Sequence, residues 1–209
     1  FQKRLRGVWQ LHSHVSYCLY GSKKHLMETM FQNASYPFYR FGDFFYLGKI
    51  SEEDWVTYIC ERFAKTGKRI APELAQEICQ VADRYSSYVQ QLSWFVWLKT
   101  QEEAHAEDVQ FAIDRLLDAN EPLFIQQTEE LSSYQMNFLR AIIEGVNSGF
   151  TQSAVLAKYR LGTAANIARL KKSLTAKDLI TTTTPKTLAI SDPILALWRM
   201  RSAFNTRCM

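Results

Sequence analysis

The chain has 209 residues, 47% hydrophobic and 22% charged, with a net charge of +4. This fits one large or two small globular domains with real cores and excludes a disordered polypeptide. No apolar run approaches the roughly 18–20 residues of a membrane span, so a membrane partner is not expected.

Charge is segregated along the chain, at +5 over residues 1–50, −9 over 51–132 and +8 over 133–209. Such alternation points to modules with different partners, and an anionic polymer suits the basic last one. In chain order, residues 1–11 have the apolar spacing of a helix, with Leu5, Val8, Trp9 and Leu11 on one side. Val15–Tyr20 is a β-rich apolar run ended by Gly21-Ser22, and reads as a buried strand and turn. Ser22 is a good N-cap for a helix through KKHLMETMF, broken by Pro37 and Gly42. Asp43–Leu47 reads as a second strand. Residues 1–50 are therefore expected to be the C-terminal end of a parallel α/β core.

Residues 51–131 are expected to form a helical bundle. Ser51 caps a helix with acids in its first turn, running to about Ala64. Pro72 opens the next, ending near Tyr85. Ser86-Ser87 caps a third, and His105–Leu117 makes a fourth that can continue past Pro122 through a kink. Trp94, Phe95 and Trp97 have the spacing of bundle packing.

Residues 132–209 change rhythm. Ser133 caps a helix ending at Gly145, a short helix covers Gln152–Tyr159, and Thr163 caps a basic helix over Ala164–Leu174. Ile180–Thr184 and Thr187–Ile190 alternate as a hairpin around Pro185-Lys186, and Asp192-Pro193 starts a last helix. This is the order of a winged helix-turn-helix. In such a domain Thr163, Asn166, Arg169, Lys171, Lys172, Lys177 and the wing-tip Lys186 are placed to meet double-stranded DNA. The same +8 module could instead dock on an acidic surface of its own protein. The four cysteines have no CxxC spacing and read as reduced cytoplasmic thiols, and the four histidines form no metal cluster.

The segments LYGSKKHLMETMF, PFYRFGDFFYLGKISEEDWVTYICERF, YVQQLSWFVW and ISDPILALWRMR, in that order, resemble the C-terminal two-thirds of prokaryotic ATPases of the AAA+/STAND group, the archaeal-type ATPase branch. The resemblance implies a mainly α chain: a remnant of a P-loop α/β core, a helical lid bundle and a C-terminal winged helix. It implies ATP and Mg²⁺ as cofactors of the full-length protein. Ser22 would be a sensor-1 residue at the tip of the Tyr17–Tyr20 strand, with Lys23 beside the γ-phosphate. Arg40 would be an arginine finger, and Arg84 and Tyr88 lid residues facing nucleotide. No GxxxxGK followed by Ser or Thr occurs, nor an acidic strand to order Mg²⁺, so these 209 residues alone are expected neither to hold nor to hydrolyse ATP. The start at Phe1, without a signal-peptide pattern, suggests that the sequence begins inside a longer protein. The resemblance leaves the oligomeric state open, since ring-forming and monomeric relatives look alike here.

Overall fold

The computed structural model describes residues 1–21, 24–184 and 187–205, and side chains of all these except 24, 25, 184 and 203–205. It divides into two compact units, Phe1–Gly48 and Lys49–Met209.

The first unit has two helices, α1 (Gln2–Trp9) and α2 (Lys24–Gln32). They gather an aromatic cluster about Phe38, which is 3% exposed. The Trp9 and Phe31 rings each lie 5.5 Å from that of Phe38, and Trp9 stacks on Tyr17 at 4.4 Å. Arg6 ties α1 to the segment after α2 by donating to the carbonyls of Pro37 and Tyr39. The two expected strands are not formed: 15–20 and 43–47 carry no regular secondary structure. A central strand satisfies its backbone N–H and C=O groups on neighbouring strands. Among the described residues the sheet pairs only Ile180–Thr184 with Thr187–Ile190, both in the second unit. Without a ladder, Val15, Leu19, Tyr20, Phe45 and Leu47 stay exposed.

The second unit begins with four helices, α3 (Glu52–Ala64), α4 (Pro72–Val81), α5 (Ser86–Lys99) and α6 (Ala106–Glu129). The Ser51 hydroxyl accepts from the Asp54 N–H at 3.1 Å, and acids at 52–54 complement the positive end of α3. That helix buries Trp55, Ile59 and Phe63 at four-residue spacing. Each such side chain contributes about 1.5–3 kcal/mol of burial. The Lys68 ammonium closes α5 by donating to the carbonyls of Trp97 at 2.7 Å and Thr100 at 2.6 Å. Helix α6 runs as one 24-residue helix through Pro122. Its second half buries Phe124 and Thr128, and packing there outweighs the hydrogen bond that proline cannot donate.

The remaining elements are α7 (Ser133–Ile143), α8 (Ser153–Lys158), α9 (Ala164–Ala176), β1 (Ile180–Thr184), β2 (Thr187–Ile190) and α10 (Pro193–Asn205). Ser132 and Gln135 form a reciprocal capping box at the start of α7. Gln135 also donates to Ser173 on α9 at 2.8 Å. Gly162, at φ +80°, makes the tight turn between α8 and α9, a left-handed conformation that glycine adopts freely. The strands β1 and β2 pair antiparallel with Ile180 opposite Ile190. The chain is thus mainly helical and ends in a winged-helix domain, as its patterning predicts.

Candidate docking surface and domain junction

Helix α9 presents two faces. Ile167, Leu170 and Leu174 are buried, which turns Ala165, Ala168, Arg169 and Lys172 outward on one stripe. Thr163, the N-cap, is exposed at its start, and its side chain makes no capping bond. Of the cations expected to meet DNA, Arg169 and Lys172 stand at this surface. Lys171 lies over the Phe150 ring at 5.4 Å, and Lys177 is 4.0 Å from Glu130 in an exposed pair. Exposed pairs of this kind add little stability. Asn166 is half-buried: its amide donates to the Leu161 carbonyl at 3.1 Å and accepts from Arg169 at 2.9 Å. One N–H and one acceptor lone pair of the amide are thereby engaged, and one of each remains. The exposed stripe carries two alanines and two outward cations, compatible with a phosphate backbone or an acidic protein surface. Lys186 lies outside the described residues, as do Ser22 and Lys23.

Arg40 is exposed in the first unit, in a left-handed conformation (φ 52°), with its guanidinium 5.3 Å from the Tyr39 ring centre. Arg84, also left-handed (φ 55°), closes α4 through its N–H to the Cys79 carbonyl at 2.9 Å.

Tyr88 has a defined partner. Its hydroxyl donates to Asp192 Oδ2 at 2.6 Å, across 104 residues of sequence. One turn earlier, Tyr85 donates to the Ser191 carbonyl at 2.8 Å. The other oxygen of Asp192 accepts from the N–H groups of Ile194 at 2.9 Å and Leu195 at 3.3 Å, and so caps α10. The two tyrosines line an open cleft of about 250 Å³ with Ser87, Gln127, Asp178 and Leu195. Burial, then hydrogen bonding to the Asp192 carboxylate, pushes the Tyr88 phenol well above the ordinary tyrosine range. Burial, then the carboxylates of Asp83 and Asp192, raises that of Tyr85.

A second contact between bundle and winged helix is apolar. Trp198 on α10 is 5% exposed and meets Phe124 on α6 at 5.7 Å. Its indole N–H donates to Glu121 at 3.1 Å, and Arg201 pairs with Asp118 at 2.8 Å. Tyr85, Asp192 and Trp198 were not singled out by sequence reasoning. The i, i+3 tyrosines and the Asp-Pro helix start are visible locally, but nothing local pairs them.

Among the described residues no group of three or more His, Cys, Asp or Glu could hold a metal ion. No described helix is long and apolar enough to cross a membrane.

With this geometry in place, residues 122–201 match the family model described as "Probable winged helix domain". The chain also shares the fold of a Walker-type ATPase of Pyrococcus abyssi. The TM-score is 0.63 at 19% identity, over 85% of this chain and 51% of that one. The chain therefore spans about half the length of that ATPase. No functionally curated protein matches it in sequence.

Proposed function

We propose that the chain is the C-terminal region of a P-loop ATPase of the AAA+/STAND group, acting as a nucleotide-dependent switch with its winged helix as docking module. The observation that supports this most strongly is the fold correspondence with a Walker-type ATPase over 85% of the chain. In this reading the phosphate-binding loop and the Mg²⁺-ordering acid are supplied by sequence outside these residues. Ser22 and Lys23 approach the γ-phosphate, Arg40 is available as a finger, and Arg84 and Tyr88 belong to the lid. The nucleotide state biases the winged helix between two arrangements.

Calorimetry of ATP–Mg²⁺ binding to the complete gene product tests the reading. Binding that disappears on replacing a phosphate-loop lysine is expected, and a complete product that binds no nucleotide overturns it.

The exposed Thr163, Arg169 and Lys172 favour a second reading, a DNA-docking regulatory protein without ATPase activity. Its signature is affinity for duplex DNA that falls steeply with salt and weakens in an Arg169→Ala/Lys172→Ala variant.

A further inference from the structure

Lys49, the first residue of the second unit, is held at the corner between α4 and α5. Its ammonium pairs with Asp83 Oδ2 at 2.6 Å and lies 4.3 Å from the centre of the Tyr85 ring. Asp83 belongs to an unusually sharp corner. Both it and Arg84 are left-handed non-glycine residues, at φ 45° and 55°. Each such residue costs about 1–2 kcal/mol, so two in succession persist only where the surroundings fix them. Here the Asp83 N–H bonds the Gln80 carbonyl at 3.0 Å and the Arg84 N–H that of Cys79 at 2.9 Å. The corner ends at Tyr85, the N-cap position of α5, whose own hydroxyl reaches Ser191.

A continuous set of contacts follows. Lys49 touches Asp83 and Tyr85, Tyr85 holds Ser191, and Tyr88 holds Asp192, the residue that caps α10. The tyrosine contacts border an open cleft lined in part by polar side chains, where water can replace a lost hydrogen bond. The apolar contact of Trp198 with Phe124 lies further along the same helix, two turns from the cap, and has no such substitute. One end of α10 is therefore releasable and the other firmly seated.

We propose that Tyr85 and Tyr88 form a latch on the winged helix, and that Lys49 sets it. A displacement of the chain where it leaves the first unit is felt at the start of α10 through the Asp83–Tyr85 corner. The latch lies wholly within residues 49–209 and needs no nucleotide, so it stands or falls apart from the ATPase reading.

Amide hydrogen exchange on the full 209-residue chain, followed residue by residue, tests it. The Tyr85→Phe/Tyr88→Phe variant keeps both rings and removes both hydroxyls. It should speed exchange at Ile194 and Leu195 by about tenfold, the effect of losing roughly one net hydrogen bond's worth of stability there. The Lys49→Met variant, remote in sequence from α10, should speed the same two amides by about threefold or more, since a surface ion pair and its ring contact are weaker. Leu92 and Val96 of α5 should not change in either variant. Unchanged exchange at Ile194 and Leu195 in either variant overturns the proposal. So does an equal rise at all four amides, which marks general destabilisation.

Discussion

Replacing Trp198 by alanine is expected to separate the stability of the winged helix from that of the bundle. The indole is 5% exposed, packs on Phe124 at 5.7 Å and donates to Glu121 at 3.1 Å. Removing a buried Trp costs about 3–5 kcal/mol, lost burial and the resulting cavity together. For a domain stable by about 5–15 kcal/mol, that is about a fifth or more of the total. At this chain length it corresponds to a fall in Tm of roughly 6–20 °C. Trp198→Phe restores most of the apolar contact and loses the N–H bond to Glu121, so it should cost about 1–2 kcal/mol. Urea unfolding followed by far-UV circular dichroism measures both. In the alanine variant the winged helix should unfold at lower urea than the bundle, giving a broadened or two-step transition. A cost below about 1 kcal/mol with a single sharp transition would refute the role given to this contact.

Four further outcomes are expected. Because the phenols of Tyr85 and Tyr88 titrate higher in the folded chain than when free, their contribution is fully present below pH about 10 and is lost as pH rises beyond it. Alkaline unfolding curves should therefore be shallower for Tyr88→Phe than for the parent. Lys68→Met should cost about 1.5–3 kcal/mol in urea unfolding, because it strips charged donors from the last carbonyls of α5. Gly162→Ala should cost about 1–2 kcal/mol, chiefly from its left-handed backbone (φ +80°). The added Cβ meets the edge of the Tyr134 ring at 3.2 Å, which is 48% exposed and able to shift, and Asn166 Nδ2 at 3.6 Å, an ordinary contact distance. If α9 docks on duplex DNA, Arg169→Ala/Lys172→Ala should flatten the log–log salt dependence of binding by about 2.

Local chemistry made most of the second unit legible. Ser51 announces its helix by capping, the cap of α7 is Ser132, one residue before the expected Ser133, Pro72 opens α4, and the alternation at 180–190 around Pro185-Lys186 specifies a hairpin. The end of α6 was harder to read, because Pro122 signals a break that burial of Phe124 overrides. Val15–Tyr20 and Asp43–Leu47 have strand composition yet form no strand. Composition records a fitness for pleated pairing, but a ladder needs a neighbour. Among the candidate site residues, Tyr88 was visible as a lid aromatic, but its partner Asp192 is 104 residues away and no periodicity links them. Asn166 has the type and position of a base reader, and its bonds to Leu161 and Arg169 could not be read from the sequence.

The switch itself is tested most directly by a distance. Spin labels at Gln91 on α5 and Lys172 on α9, both exposed, report the winged helix against the bundle. In the complete gene product, pulsed electron resonance should give one distance distribution with ATP–Mg²⁺ bound and a resolvably different one with ADP. Identical distributions in the two states, with binding of both nucleotides verified, would contradict a nucleotide-driven change in the position of the winged helix.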